Sequence, residues 1–476
     1  MVTYQALLMA SVDNPFPELH GLSESHSAEF PQYTAELRTC TEPAFSGKGQ
    51  SNSYGRRRPS PHLTSCLLCI LIGLHSERLG LEKDLVDMGQ FHPSAASSGS
   101  EHTLRAWLTV MGAFFTFFCS VGFLNAFGVF QEYYEKHTLS SHSSFDISWI
   151  GSFSTFALFS GAPIAGILVD RFGPTRPLLL GSLAMLVAVF MTSICHQYYQ
   201  FFLAQALLLG ASMSFLFCPA IATVSRYFQK NKGLAMGVTV GGSSTGGVIW
   251  PVVLDQLLNK RGMSFGWAIR FVGLIMLPLL VVAILTVTSP PKRLDRANNE
   301  VTFTNDGDAS AASAVNASGN TLRVATRTRP RVFASLLKNT PFLLLCSGLA
   351  ISYLGMFSPF FYATSYAQSL GYSTSLSFYL VSIVNGASLF GRILPGILAD
   401  RYGHFNLCGM ATVISGATAL CWTAAKSTGE LVVWCLAYGL ASGAIMSLQG
   451  ACSAQLAPQQ LQGTAVGFLM GSVALT

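Results

Sequence analysis

The sequence predicts an all-α polytopic membrane protein, and three observations carry this prediction. Of the 476 residues, 50% are hydrophobic and 11% are charged, whereas about a quarter of the residues in soluble domains are charged. Long apolar runs recur along most of the chain, each close to the roughly 20 residues that a membrane helix needs. A motif that suits the return of a helix into water, Asp-Arg followed by a glycine turn, occurs at residues 166–173 and again at residues 396–403.

The formal charge of +6 does not indicate a nucleic-acid partner. The basic residues are spread over the segments between apolar runs, and this distribution sets membrane topology. Most of the eleven cysteines lie in or beside apolar runs, where cysteine packs as a small hydrophobic residue. The C-x-x-C pair Cys66 and Cys69 has no second ligand pair nearby, so we expect no metal site and no cofactor.

Residues 1–104 are predicted to form a disordered N-terminal tail. They are rich in Ser, Pro, Gly and His, and their apolar run at residues 63–74 is too short to cross a bilayer. This run also starts too far from the N-terminus for a cleaved secretory signal. An alternative is that the start of the coding sequence is wrongly assigned. We attach no function to this segment.

The rest of the chain divides into two series of apolar runs. Residues 105–288 are predicted to form a six-helix bundle, with helices at about residues 106–130, 148–169, 177–195, 199–224, 233–257 and 267–288. The basic, polar residues 289–340 are predicted to be a disordered linker. Residues 341–476 are predicted to form a second bundle of about five helices, at about residues 341–367, 376–399, 405–425, 430–453 and from 461 onward.

Lysine and arginine alternate between the two ends of the predicted helices. The tail, the linker and the turns at Arg171, Arg226 and Arg401 are basic, whereas the intervening turns carry few positive charges. By the positive-inside rule, the N-terminus and the central linker are predicted to be cytoplasmic. We expect the plasma membrane as the location, and the lipid bilayer as the environment.

Glycines support an internal repeat with a shift of 230 residues, the same shift that relates the two Asp-Arg motifs. Glycine at every fourth position leaves one helix face without side chains, so that another backbone can approach closely. This pattern predicts close helix packing, and a role in sliding or rocking is an alternative interpretation. The glycines concerned are Gly233, Gly237 and Gly241 in the fifth helix and Gly463, Gly467 and Gly471 in the eleventh.

The same shift predicts a counterpart of the sixth helix near residues 497–518. The chain ends at Thr476. We therefore expect the second bundle to be truncated within its eleventh helix.

Six helices, a basic linker and a second series of helices, with G-x-x-x-D-R-x-G after the second and eighth helices, resemble the major facilitator superfamily. Several stretches are similar to fungal members of its monocarboxylate transporter family, namely residues 106–114, 125–134, 148–152 and 226–237. The resemblance covers about residues 105–476. It implies the major facilitator fold, two six-helix bundles as parallel repeats, and transport by alternating access around a site near the membrane midplane.

The resemblance also implies a gating role for the doubled motif. In the superfamily, the aspartate of this motif is understood to meet a helix end and a neighbouring arginine when the carrier is closed toward the cytoplasm. The alternative is that these charges only mark topology. The residues assigned to gating are Asp170, Arg171 and Gly173 in the first copy and Asp400, Arg401 and Gly403 in the second.

Arg392 is the leading candidate for substrate binding. It lies within an apolar helix, where a charge costs about 2.5–3.5 kcal/mol on insertion scales and usually faces the bundle interior. Asn385 and Ser388 precede it by seven and four residues and are predicted to share its helix face. A guanidinium can bind a carboxylate through two hydrogen bonds. Alternatives are an arginine that reaches the lipid headgroups or pairs with backbone.

Asn125 is the predicted partner of Asn385 across the cavity, with one asparagine contributed by each bundle. The alternative is that either amide links neighbouring helices by hydrogen bonds. Animal lactate carriers have an aspartate where this chain has Ser388 and a lysine where it has the stretch around Gly128. Proton-coupled lactate uptake is therefore not expected, and the alternatives are facilitated movement or a different proton carrier.

The predicted function is that of a secondary active transporter that moves a small organic anion or a specialised metabolite, with export favoured. One alternative is an uptake permease for a monocarboxylate or a vitamin-like nutrient. Another is a membrane sensor or an inactive fragment, which the expected truncation favours. No H-E-x-x-H, G-x-S-x-G or phosphate-binding glycine loop indicates an enzyme. The expected partner is a small-molecule substrate, with no nucleic acid and no obligate protein partner.

Overall fold

The computed structural model describes residues 104–290, 336, 338–372 and 374–474. The predicted tail and most of the predicted linker lie outside this part of the chain. Within it, the secondary structure is helical and contains no strand. The prediction of an all-α membrane protein is confirmed, because ten helices in the described part are long and apolar enough to cross a membrane.

The first half of the described structure consists of six helices. Their bounds are α1 (Leu104–Thr138), α2 (Ser144–Phe172), α3 (Thr175–Thr192), α4 (Tyr198–Tyr227), α5 (Lys232–Leu258) and α6 (Phe265–Thr286). Large apolar side chains cover the outside; Leu285 of α6, for example, is 72% exposed. Such side chains are suited to contact lipid.

The second half contains five helices. They are α7 in two segments (Thr340–Met356 and Ser358–Ser369), α8 (Thr374–Tyr402), α9 (His404–Leu420), α10 (Thr428–Leu456) and α11 (Gln462–Val473). The interruption of α7 at Phe357 was not predicted. It coincides with Pro359 in the first turn of the second segment, and proline both lacks an N–H group and restricts the residue before it.

Helix α1 extends eight residues beyond the predicted end and is interrupted in its middle. Its apolar run stops at Gln131, but pairs four residues apart support another turn: Gln131 donates to Glu135 (2.9 Å), and Lys136 meets Glu132 (2.5 Å). The interruption falls at Asn125, between the helical segments that end at Leu124 and begin at Phe127. Asn125 therefore lies at a break in the helix that faces the centre of the protein.

Helix starts reveal another instance of the repeat. Ser427 and Glu430 form a capping box at the start of α10, and Gln197 and Gln200 form one at the start of α4. The two pairs are again 230 residues apart. Reciprocal bonds of this kind satisfy backbone N–H groups that a helix start leaves without partners. The repeat thus fixes where equivalent helices begin.

Helix α5 packs against α8 of the other half through its glycines. A side chain at Gly233 would collide with the backbone of Gly396, and one at Gly237 would collide with the carbonyl of Arg392. At Gly241, an added carbon would instead lie 3.1 Å from the flexible side chain of Leu389. The closest approach of the two helices therefore lies around Gly233 and Gly237.

Helix α11 packs against α2 in the equivalent way. A side chain at Gly463 would meet Asp170 and the carbonyl of Gly166, and one at Gly467 would meet the carbonyl of Ala162. Gly471 lies against the ring of Pro163. The two halves thus meet along two repeated contacts, α5 with α8 and α11 with α2. A role of these glycines in movement stays a prediction.

Candidate functional site

A cavity lies between the two halves, near the middle of the helices. Its wall includes the polar side chains of Asn125, Thr155, Ser243, Asn385, Arg392 and Gln449. It also includes the aromatic side chains of Phe117, Phe159, Phe217, Tyr353, Phe357 and Phe360. Because α1, α2, α4 and α5 contribute from one half and α7, α8 and α10 from the other, a ligand in this cavity would touch both halves.

Arg392 lies at the cavity wall and is only 2% exposed. Its Nη1 donates to the carbonyl oxygen of Val240 (2.7 Å) and to the Ser243 hydroxyl. Its Nη2 contacts the Met446 sulfur at 3.2 Å. No carboxylate pairs with it in the described part of the chain. The sequence offered two alternatives to substrate binding for Arg392. The side chain does pair with backbone, at the Val240 carbonyl, and it does not reach outward to the lipid headgroups.

Asn125 and Asn385 face each other across the cavity. The Asn125 amide nitrogen lies 3.5 Å from the Asn385 amide oxygen and 3.4 Å from the Ser243 carbonyl oxygen. Asn385 also donates to the carbonyl of Val381, four residues earlier in α8. Gly247 of α5 lies against both amides, and a side chain at that position would collide with them. The two halves therefore meet here through polar groups.

Ser388 does not line the cavity, in contrast to its predicted position beside Arg392. Its hydroxyl is fully buried against Gly443 of α10 and has no hydrogen-bond partner in the described residues. The reason is that α8 is flanked on adjacent faces by α5 and α10. The Arg392 guanidinium bonds to α5 and extends to Met446 of α10, whereas Ser388 packs directly against Gly443 of α10. A spacing of four residues therefore did not guarantee a shared environment.

Two buried tyrosine–glutamine hydrogen bonds occur at equivalent places in the two halves, one of them at the cavity wall. Tyr353 of α7 donates to Gln449 of α10 (2.9 Å) at the cavity wall, and Tyr134 of α1 donates to Gln205 of α4 (2.6 Å) away from it. Each pair links the first helix of one half to the fourth. Both glutamines are polar residues within apolar runs, but nothing in the sequence identifies their tyrosine partners.

Asp170 joins α2 to the first turn of α11. Its carboxylate accepts from the backbone N–H groups of Gly463 (3.1 Å) and Thr464 (2.6 Å) and from the Thr464 hydroxyl (2.6 Å). Arg226 of α4 donates to it at 2.6 Å. A carboxylate is favoured at this place because the N–H groups of a helix start carry partial positive charge.

Asp400 makes the equivalent contact between α8 and α5. It accepts from the backbone N–H groups of Gly233 (2.6 Å) and Leu234 (2.9 Å), the positions 230 residues before Gly463 and Thr464. In place of an arginine, the imidazole of His404 lies 3.2 Å from it. Both halves are thus joined at the end of the bundle where α2 and α8 finish. Arg226 and His404 were not among the predicted gating residues.

Arg171 and Arg401 do not take part in these contacts. Both are exposed, and each guanidinium lies over the ring that follows it, at 5.2 Å from the centre of Phe172 and 5.9 Å from that of Tyr402. The arginine that Asp170 contacts is Arg226, which comes from another helix. A gating role of Arg171 and Arg401 therefore has no support in these contacts.

Gly173 and Gly403 end α2 and α8 with φ angles of 83° and 95°. These angles lie in the region that glycine adopts without steric cost. The two glycines turn the chain directly after the Asp-Arg pairs, so they orient the ends of the helices that carry Asp170 and Asp400.

A cavity enclosed between repeated halves, with equivalent contacts between those halves at one end, is the arrangement of a multi-pass membrane transporter. Residues 107–475 match the Major Facilitator Superfamily, and the chain belongs to this superfamily. The match indicates a transporter of small molecules and no catalytic family.

Several similar proteins come from fungi. An MFS-type transporter of Aspergillus fumigatus is 48% identical over 375 residues, which cover 78% of this chain and 83% of the relative. The agnestins efflux protein of Paecilomyces divaricatus is 48% identical over 382 residues, or 79% and 81% of the two chains. The aspyridones efflux protein of Emericella nidulans is 36% identical over 370 residues, or 77% and 68%.

Proposed function

We propose that this transporter exports a specialised metabolite that carries one anionic group on an apolar, partly aromatic body. The observation that carries the proposal is Arg392, a fully buried cation at the cavity whose contacts in the described structure are all with neutral groups. A buried charge without a counter-charge is costly, and an anionic ligand would supply that counter-charge.

In this proposal, the remaining cavity residues bind different parts of the ligand. Asn125 and Asn385 offer amide hydrogen bonds beside Arg392, one from each half. The aromatic rings of the cavity wall bury the apolar body of the ligand. Ser388, which the sequence suggested as a third binding residue on α8, has no part because it is buried against Gly443 and does not line the cavity. A cavity with this mixture of polar and aromatic residues suits a ligand that has both an anionic group and an apolar body.

We also propose that the chain belongs to the monocarboxylate transporter family within the superfamily. An arginine at the cavity is compatible with a carboxylate substrate. The two acids of the first half nearest the outer end of α1 have other partners: Glu132 pairs with Lys136, and Asp146 caps the start of α2. The cavity wall itself contains no acid in the described residues. Proton transfer by a carboxylate of the cavity is therefore not part of the proposed mechanism.

The direction and location of transport are inferred from the relatives. Two of the similar fungal proteins are named as efflux proteins of metabolites, agnestins in one case and aspyridones in the other. We extend export to this chain and place it in the plasma membrane, with the Asp170 and Asp400 end in the cytoplasm. In that orientation, the described structure is closed toward the cytoplasm.

The proposal is tested by transport in sealed membrane vesicles with a panel of aromatic carboxylates and neutral apolar metabolites. The parent chain is expected to move one or more of the carboxylates, and Arg392→Ala is expected to reduce that rate at least tenfold. Arg270→Ala is the matched control, because Arg270 of α6 is bound to Ser193 (3.2 Å) away from the cavity. Transport by Arg392→Ala at the parent rate would rule out the proposed site.

A further inference from the structure

We infer that Ser243 is a positioning residue for Arg392, and that it determines which edge of the guanidinium a ligand meets. This inference rests on the proposed anion site at Arg392. Ser243 lies on α5, in the first half, where it lines the cavity and is 1% exposed. Arg392 lies on α8, in the second half. A neutral serine on a glycine-rich helix gave no signal of this role in the sequence.

The Ser243 hydroxyl both donates and accepts a hydrogen bond. Its hydroxyl donates to the carbonyl oxygen of Val240, one turn earlier (3.0 Å). Its oxygen then has lone pairs free to accept from Arg392 Nη1. Val240 accepts from the same Nη1 at 2.7 Å. Both N–H bonds of Nη1 are thus used within α5, and that end of the guanidinium is held in place.

The opposite edge of the guanidinium has few partners. Nε is buried and has no hydrogen-bond partner in the described residues, and Nη2 contacts only the Met446 sulfur, which is a weak acceptor. Nε and Nη2 lie on one edge of a planar group and can bind the two oxygens of one carboxylate together. By occupying Nη1, Ser243 leaves this edge for the ligand.

Ser243 also contacts the second polar group of the cavity. Its backbone carbonyl lies 3.4 Å from the amide nitrogen of Asn125, whose other neighbour is the Asn385 amide. One residue of α5 therefore touches groups from α1 and, across the interface, from α8. A shift of α5 along α8 would change the position of Arg392 through this residue.

The neighbouring residue provides a matched control. Ser244 is also fully buried on α5, but its hydroxyl has no hydrogen-bond partner in the described part of the chain. Replacing either serine by alanine removes one oxygen from the same helix at the same depth. Only the change at Ser243 removes a contact with Arg392.

The test is binding of 2-naphthoate and of its neutral amide, 2-naphthamide, to the purified full-length chain. The parent is expected to prefer the carboxylate. Ser243→Ala is expected to raise the Kd of 2-naphthoate roughly tenfold, the usual effect of losing a hydrogen bond to a charged group. The Kd of 2-naphthamide should change little, so the ratio of the two constants falls. Ser244→Ala should keep the parent ratio.

The ratio separates positioning from general stability, because a merely structural defect would weaken both probes alike. If Ser243→Ala keeps the parent ratio, the inference is wrong while the anion site stands. If the parent binds the two probes equally, or binds neither, the proposed anion site fails and the inference fails with it.

Discussion

Asp170 and Asp400 occupy equivalent positions, but the side chains around them differ. Both carboxylates accept two backbone N–H groups from a helix of the other half. Asp170 has in addition a largely buried ion pair with Arg226 and a bond from the Thr464 hydroxyl. Asp400 has the imidazole of His404 in place of the arginine. The Asp170 contact therefore has the larger number of charge-assisted bonds.

This difference predicts unequal effects of two identical substitutions. Asp170→Asn is expected to lower the free energy of unfolding by about 3 kcal/mol, because it leaves the largely buried Arg226 without its counter-charge. Asp400→Asn is expected to cost about 1–2 kcal/mol, the value of weakened hydrogen bonds to a helix start. Thermal unfolding of the purified variants measures both changes.

The control for this pair is Glu132→Gln, which removes an ion pair between partly exposed residues of α1. Exposed pairs of this kind contribute little, so the melting temperature should not change measurably. Equal losses for Asp170→Asn and Asp400→Asn would contradict the assignment of the stronger contact to Asp170.

At the scale of helices, the glycines of α5 and α11 determine how closely the two halves approach. The sequence identified these glycines and their 230-residue shift, and the shift correctly paired α5 with α11. It did not reveal that α5 packs against α8 and α11 against α2. Such contacts join helices from opposite halves, and the periodicity of one helix contains no information about its neighbour.

Gly237→Ala is the substitution that tests close approach. The added methyl group would collide with the carbonyl of Arg392, so α5 and α8 must separate. We expect a loss of about 1–3 kcal/mol in stability, as for other overpacked interiors, and reduced transport because the Arg392 site is displaced. Vesicle transport, normalised to the amount of inserted protein, measures the second effect.

Gly348→Ala in α7 is the matched control for Gly237→Ala. An added carbon at Gly348 has no neighbour within 4 Å, and alanine favours helix formation over glycine. Stability should therefore be unchanged or slightly higher, with transport retained. Normal transport and stability of Gly237→Ala would show that the two helices are not in tight contact.

For the whole molecule, the sequence predicted the class of fold. It also predicted one cavity residue from each half, Asn125 from the first and Asn385 from the second. It also identified Arg392 from its charge, because a charged residue stands out in an apolar run. Ser243 and Tyr353 could not be found in this way, since neutral polar residues are frequent in membrane helices. Ser388 was misplaced because helical spacing does not show which neighbouring helix a residue faces.

The two halves, as whole bodies, meet at the centre through Arg392 and the paired asparagines and at one end through Asp170 and Asp400. Transport by alternating access requires the end contacts to break while the site remains between the halves. The site and the end contacts share helices: α8 carries both Arg392 and Asp400, and the start of α5 that Asp400 binds continues to Ser243. Ligand binding at Arg392 is therefore in a position to affect the end contacts.

The most direct test of the central claim is an experimental structure of the chain bound to an anion that it transports. The account predicts that the acidic group lies about 3 Å from Nε and Nη2 of Arg392, at hydrogen-bonding distance. It also predicts that the apolar body of the ligand lies among the aromatic rings of the cavity. An anion bound elsewhere, with the Nε edge of Arg392 still without a partner, would contradict the account.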